Sequence, residues 1–308
     1  MIRVFIDGRA GTTGLQIEGR MGLRDDVEQI ILPENQKKDP AARKDAINRA
    51  DVVFLCLPDA AAVEAAAMVE NPGTRVIDAS TAHRTDPAWA YGFPELSKAH
   101  REAIEKARLV ANPGCHATGF IALVYPLVQL GILPPDHPLA VHSITGYTGG
   151  GKKMIEQYED PARELEYDSP RHYGLNLSHK HIPEMMKVCG LTRKPIFCPI
   201  VCDFPQGMLV TLPLHLDLLP ETAGTDRLLE AYRDFYQGQG NIRVKDTPES
   251  GFLGSNNIVG TNLLEIFVSG NDRQAMVSAR FDNLGKGASG AAVQNMNIML
   301  GLDENYGL

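Results

Sequence analysis

IRVFIDGRAGTTG, residues 2–14, begins with a β-rich run that stops at Asp7 and passes into a turn with glycines at positions 8, 11 and 14 and Thr12 and Thr13 between the last two. An amphipathic helical pattern runs on to about Met21, so the stretch reads as strand, glycine turn, helix. Glycines at such a junction let a pyrophosphate come close to the main-chain N–H groups of the helix start. The glycine spacing alone is a weak signal. Its place at the first βα junction of a βαβ run is what makes Gly8, Gly11, Thr12, Thr13 and Gly14 the expected contacts of a dinucleotide.

The same rhythm continues outward. Strands are expected near Val27–Leu32, Asp51–Leu57 and Arg75–Ile77, and up to Ala111, with helices over about Ala41–Arg49, Ala60–Val69 and Leu96–Ala107. Strands alternating with helices imply a doubly wound parallel sheet. After about residue 135 the pattern changes to longer strands, several with polar alternation, at Leu139–Ile144, Pro195–Cys202, Met208–Leu216, Leu263–Val268 and Ala275–Phe281. These predict a mixed or antiparallel sheet. Thr145–Leu177 reads as one long loop of the functional or mobile kind, and Gly287–Leu300 as a closing helix. The fold class is therefore α/β: a Rossmann-type dinucleotide-binding domain plus a second α+β domain with a mixed or antiparallel sheet.

The kind of dinucleotide depends on the segment after the second strand. Glu34 is placed to accept a ribose hydroxyl, as in NAD sites, but Lys37 and Lys38 follow at once, and two cations there favour the 2′-phosphate of NADP. Composition narrows the remaining partners. With 30 basic against 38 acidic residues the 308-residue chain carries a net charge of −8 and has no long basic run, which argues against nucleic acid. No apolar run is long enough to span a bilayer, and the first strand begins at once without a signal-like stretch, so no membrane partner is expected and a cytoplasmic location is. Five scattered cysteines without metal-ligand spacing fit a reducing compartment.

Cys115, in NPGCHATG at residues 112–119, stands apart from the other four cysteines. It lies where a strand gives way to an apolar helical pattern, and a helix start stabilises a thiolate. Cys56, Cys189, Cys198 and Cys202 sit in apolar segments and read as small hydrophobes. A nucleophilic cysteine calls for a histidine, and His179 and His181 in LSHKHIPEM offer two at i, i+2. That pair lacks a third ligand at metal spacing, so no metal is expected. Two further segments carry polar chemistry. DASTAHR, residues 78–84, follows a strand's carboxyl end, where doubly wound sheets bind ligands, and TGYTGGGKK, residues 145–153, has a glycine run suited to an anion but no triphosphate-binding spacing.

These motifs, with YGFPEL at 91–96 and DNLGKGASGAAVQNMN at 282–297, together resemble the N-acetyl-γ-glutamyl-phosphate reductases, in their shorter variety. The resemblance runs nearly end to end. NPGC alone is shared with aspartate-semialdehyde dehydrogenases; HKHIPEM and the closing segment are more specific. The resemblance implies NADPH-dependent reduction of N-acetyl-γ-glutamyl phosphate to N-acetyl-L-glutamate 5-semialdehyde, in arginine biosynthesis, with Cys115 as nucleophile and a histidine of His179 and His181 as acid/base. It implies cofactor contacts at Ser80 and, through a closing helix that returns to the first domain, at Gly287 and Asn295. Substrate contacts fall to Arg84, Lys180 and Gly149, with Lys152 and Lys153 as further cations. Longer members often carry HRH and SADFR where this chain has HKH and DASTAHR. The expected domains are 1–117, NADP-binding and completed by a C-terminal helix at 285–308, and 118–284, catalytic, substrate-binding and oligomerising. A homo-oligomer, dimer or tetramer, is expected. The competing readings are a dehydrogenase or reductase for aspartyl or aminoadipyl substrates and a non-catalytic NADP sensor.

Overall fold

The computed structural model describes residues 1–220 and 224–308. It divides into two compact units: Met1–Gly114 with Ala288–Leu308, and Cys115–Gly287. Cys115 already opens a helix of the second unit, so residues 115–117, like 285–287, belong there and not with the nucleotide fold.

The first unit runs β1 (Ile2–Asp7), α1 (Thr12–Gly22), β2 (Val27–Ile30), α2 (Pro40–Arg49), β3 (Val52–Leu55), α3 (Asp59–Ala67), β4 (Arg75–Asp78), β5 (Ala90–Tyr91), α4 (Lys98–Lys106) and β6 (Leu109–Ala111). The six strands form one all-parallel sheet in the order β2-β1-β3-β4-β6-β5. Because successive strand residues point to opposite faces, Val4, Ile6, Phe54 and Ile77 fill one core while Phe5, Val53, Leu55 and Val76 fill the other. Ile47 of α2 and Ala65 of α3 pack on the second face; Ile17 and Met21 of α1 and Ile104 of α4 pack on the first. Each large side chain so buried contributes roughly 1.5–3 kcal/mol. Helix boundaries follow capping chemistry: Asp39 accepts from Ala41 N ahead of Pro40, and Ser97 accepts from His100 N. That second cap moves the start of α4 from the expected Leu96 to Lys98.

The second unit runs α5 (Cys115–Gln129), β7 (Ala140–Gly146), α6 (Gly151–Glu159), β8 (Arg171–His172), α7 (Ile182–Cys189), β9 (Ile196–Cys202), β10 (Met208–His215), α8 (Thr225–Phe235), β11 (Ile242–Lys245), β12 (Leu264–Gly270) and β13 (Gln274–Phe281). Its seven-stranded sheet has the order β11-β12-β13-β10-β7-β9-β8. Only β7–β9 and β11–β12 pair in parallel, so the sheet is mixed. Helix α5 lies on β10 and β13 through Gly119, where a Cβ would come within 2.4 Å of Val210 and 2.7 Å of Phe281. Pro126 sits inside α5 and has no N–H for the carbonyl of Ala122, four residues back. Tyr236 Oη–H donates to that carbonyl instead at 2.8 Å, and Tyr232 donates to Leu123 O at 2.5 Å.

Thr145–Leu177 is not the open loop expected. It contains α6, whose Tyr158 is buried and stacks on Tyr147 at 4.9 Å between centroids. The Arg171 guanidinium lies 3.9 Å over the Tyr167 ring and 5.0 Å over that of Tyr158, while Arg163 bridges Asp168 and Asp203. The dense charge and glycine of this stretch masked a helix held by aromatic packing.

After a π turn, Gly285–Ser289, the chain ends in α9 (Gly290–Met299), which belongs to the first unit and packs Ala292, Val293 and Met296 against the α1 and α4 face of the sheet. Among the described residues no helix is long and apolar enough to cross a membrane.

Candidate active site

In the first unit the chain leaves β1 at Gly8, and the strands on either side of β1 are β2 and β3. The crevice for a ligand in such a sheet opens at the carboxyl ends where the winding reverses, here between β1 and β3. Gly8 lies on that seam at φ +85°, and a Cβ there would stand 2.2 Å from Cys56 O. A Cβ on Gly14 would stand 2.6 Å from Gly8 O. Gly11 caps α1 without a side-chain hydrogen bond, which leaves the first-turn N–H groups to an anion. Thr12 Oγ1 is buried and has no hydrogen-bond partner among the described residues. The turn therefore fits a dinucleotide pyrophosphate: a bare main-chain cradle, a positive helix end and a hydroxyl with unused capacity.

Glu34 lies in a 3-10 turn just beyond β2 and pairs with Lys37. Lys37, with Arg9 adding, holds the Glu34 carboxyl below its usual range. Lys38 is exposed and makes no ion pair among the described residues. Arg9, inside the glycine turn itself, also bonds Glu18 at 2.8 Å and was not singled out from sequence.

DASTAHR forms a closed knot at the end of β4. Asp78 accepts from the Ser80 amide (2.9 Å) and hydroxyl (2.7 Å), and lies 2.6 Å from His83 Nδ1, whose ring stacks on Trp89. Arg84 is buried and donates to Asn112 O and Ala79 O, bracing the ends of β6 and β4. Asn295 of α9 donates to Gly92 O and Asn112 Oδ1, while its own buried Oδ1 has no partner among the described residues. Ser80, Arg84 and Asn295 thus hold the strand-end architecture with at least part of their polar capacity.

In the second unit Cys115 is the first residue of α5 and is partly exposed. The dipole of a 15-residue helix favours negative charge at this end. Gly287 lets the returning chain pass against it, for a Cβ there would sit 3.0 Å from Cys115 Cβ. By contrast, burial pushes the Cys56 thiol up to about 12, with Asp78 and Asp7 adding, and burial likewise raises Cys189 well above the ordinary thiol range. Cys198 and Cys202 lie partly buried along one side of β9.

The histidines of the HKH element are brought together with a third. His179 and His181 meet edge to face at 4.7 Å, and His116 lies 5.3 Å from His179 and 5.7 Å from His181 between ring centroids. His179 Nδ1 accepts the His181 main-chain N–H at 3.2 Å, so Nδ1 is unprotonated and the ring hydrogen sits on Nε2. His181 is buried at the start of α7; His179 is half-buried and Lys180 between them is exposed. Gly149 sits in a 3-10 turn, Tyr147–Gly150, where its Cβ would stand 3.5 Å from Asn283 Nδ2 and Thr145 Oγ1. Lys152 and Lys153 are exposed on the first turn of α6.

Three residues of this cluster escaped sequence reasoning: His116, Ser143 and Tyr173. His116 Nδ1 lies 2.6 Å from Ser143 Oγ and its Nε2 lies 2.5 Å from Tyr173 Oη. Strand register explains the arrangement. Ser143 of β7 is level with Pro199 of β9, and Tyr173, just past β8, donates its N–H to Pro199 O. The row Ser143, Pro199, Tyr173 crosses the sheet with His116 of α5 bonded to both ends. Burial, with His179 and Lys180 adding, holds the His116 imidazole well below its usual range, so it is neutral. The one signal in the sequence was Ser143 as a polar residue on the inward alternation of β7, Val141-Ser143-Thr145.

Residues 10–107 match the family described as semialdehyde dehydrogenase, NAD binding domain, and residues 115–283 that described as semialdehyde dehydrogenase, dimerisation domain. The chain is 46% identical to N-acetyl-gamma-glutamyl-phosphate reductase 2 of Nostoc sp., covering 99% of each chain, and 48% identical to the N-acetyl-gamma-glutamyl-phosphate reductase of Brucella anthropi, covering 97% and 98%. The chain belongs to the N-acetyl-γ-glutamyl-phosphate reductases. In fold it is similar to aspartate semialdehyde dehydrogenase II of Vibrio cholerae, with a TM-score of 0.75 at 14% identity over 97% of this chain and 98% of that one. The two semialdehyde dehydrogenase domain matches fall one within each unit, and the first carries an NAD(P)-type fold.

Proposed function

We propose that this chain reduces N-acetyl-γ-glutamyl phosphate to N-acetyl-L-glutamate 5-semialdehyde with NADPH, releasing phosphate, through a thioester on Cys115. The observation that carries the reading is a cysteine at the first position of α5 within the same unit as three mutually packed histidines. Cys115, as a thiolate favoured by the helix start, attacks the acyl carbon; the C–S bond forms as the C–O bond to phosphate breaks. Bound NADPH supplies the hydride that reduces the thioester carbon. The resulting alkoxide collapses to aldehyde and returns the thiolate. With Cys115 entering as thiolate, the one proton taken up overall goes to the departing phosphate, which leaves as hydrogen phosphate. His179, with its hydrogen on Nε2, serves as a hydrogen-bond donor to the oxyanion and as the acid that gives the departing phosphate its proton, regained from water. Lys180, Lys152 and Lys153 are the cations for the phosphate and the α-carboxylate, and Gly149 allows close approach between them.

His179→Ala is expected to lower kcat about 10²- to 10³-fold, the usual cost of one oxyanion donor. His181→Ala, whose ring is buried behind it, should lower thermal stability more than kcat. Steady-state rates with melting curves for both variants check this; equal small losses of kcat would place the donor elsewhere.

NADP is favoured over NAD by Lys38 and by Lys37, with Arg9 beside them. Lys37→Ala/Lys38→Ala should weaken NADPH binding about tenfold or more, one to two exposed charge contacts, while NADH binding changes little. Fluorescence titration with both cofactors reads the difference, and an equal effect on the two would remove the lysines from the 2′-phosphate site. The second unit is read as the homo-oligomerising part, in keeping with its dimerisation-domain match. The cytoplasm is the place of action, where reducing conditions keep Cys115 a thiol. A panel of N-acetylglutamyl, aspartyl and N-acetylaminoadipyl semialdehydes, assayed in the reverse direction, tests the substrate; a higher kcat/KM for either of the others overturns it.

A further inference from the structure

The hydrogens along Ser143, His116 and Tyr173 can be placed by counting donors. Ser143 is wholly buried, and its hydroxyl has one hydrogen-bond partner among the described residues, His116 Nδ1 at 2.6 Å. A buried hydroxyl hydrogen without an acceptor is costly, so Ser143 donates and Nδ1 accepts. His116 is itself buried and neutral, and it carries a single ring hydrogen. With Nδ1 occupied as an acceptor, that hydrogen sits on Nε2 and is donated to Tyr173 Oη at 2.5 Å. The phenol oxygen is thereby engaged as an acceptor, and its own hydrogen has no acceptor among the described residues.

The phenol sits among the groups already assigned to the chemistry. His116 is the next residue after Cys115 on the first turn of α5, so the group that grips Tyr173 is tied to the nucleophile by the chain itself. The His179 ring packs against Tyr173 at 5.9 Å between centroids. Burial raises the Tyr173 pKa, with the charge of Cys115 adding, which keeps the phenol protonated.

We propose that Tyr173 is a further catalytic residue: its hydroxyl, turned outward by the Ser143–His116 pair, donates a hydrogen bond to the oxyanion formed on the carbon bonded to Cys115, alongside the Nε2–H of His179. The proposal rests on the thioester reading above. Ser143 and His116 are positioning residues, acting only through the phenol. No bond is made or broken by Tyr173, and its proton stays on oxygen throughout.

Two measurements test this on the full chain. Tyr173→Phe, which keeps the ring and removes only the hydroxyl, is expected to lower kcat about 10²-fold or more, with KM for the acyl phosphate and Kd for NADPH within about threefold. In the unsubstituted protein, ¹⁵N chemical shifts of His116 should report the Nε2–H tautomer. A Tyr173→Phe enzyme with kcat within about threefold of the parent overturns the proposal, and so does an Nδ1–H tautomer at His116, even if the phenylalanine variant proves too unstable to assay. Failure of the underlying reading looks different: the parent enzyme would not turn over N-acetylglutamyl phosphate, or Cys115→Ser would remain active.

Discussion

Cys115→Ser is expected to abolish turnover, with a fall in kcat of about 10⁴-fold or more, as for nucleophile removal in other acyl-transfer enzymes. A serine hydroxyl at the same helix start is ionised far less than a thiol, and the main-chain N–H groups that help a thiolate cannot make up a difference of many pKa units. An ester to serine would also be a poorer hydride acceptor and a poorer leaving group than a thioester. NADPH affinity should stay within a few-fold of the parent, because the glycine turn lies in the other compact unit. Single-turnover mixing with NADPH and acyl phosphate, followed by phosphate release and NADPH oxidation separately, is the informative measurement. A burst of phosphate release in the serine variant would show that the enzyme acylates without the thiol, and the mechanism would have to be abandoned.

The second large effect concerns the backbone. Gly8→Ala should destabilise the protein by about 3 kcal/mol or more, a shift in Tm on the order of 10 °C, because an L side chain is strained at this φ and the new Cβ meets a main-chain oxygen that cannot step aside. The carbonyl in question is Cys56 O, 2.2 Å from the ideal Cβ position at φ +85°. Dinucleotide affinity should fall more than tenfold with it, since relief of the clash must open the seam between β1 and β3. Gly19→Ala is the matched control. Gly19 is in α1 with open space around its Cβ position, so the same chemical change there should be neutral or slightly stabilising. Calorimetry on both variants reads the contrast; similar melting temperatures would mean that the turn is more pliable than its geometry implies.

What the sequence made visible was whatever repeats along the chain. The alternation of β-rich runs with helical patterns, punctuated by Gly8, Gly11 and Gly14, was enough for the parallel sheet, since both signals are local. The long alternating strands after residue 135 were enough for a mixed sheet, though not for the order in which β7 comes to lie between β10 and β9. Helix α6 was missed because its burial comes from Tyr158 stacking on Tyr147, meeting Tyr167 edge to face and lying under Arg171, contacts with no periodic signature. The site divides in the same way. Cys115 and His179 were nominated by motif and chemistry. Ser143 and Tyr173 were not, because what joins them is the level at which β7, β8 and β9 are registered. Arg84 was nominated for its charge; in the structure its guanidinium braces main-chain carbonyls, a use that charge alone does not reveal.

The position of α9 has a consequence for how the protein is made. The residues that cover the α1 and α4 face of the first sheet, Ala292, Val293 and Met296, are translated only after the whole second unit. Through synthesis of the whole second unit, Ile17, Met21, Ile104 and Val110 lack that cover, and a nascent chain with such an open apolar face is a client for chaperones. The nucleotide fold is thus begun before the second unit is translated and completed only after it, so cofactor capture waits on α9.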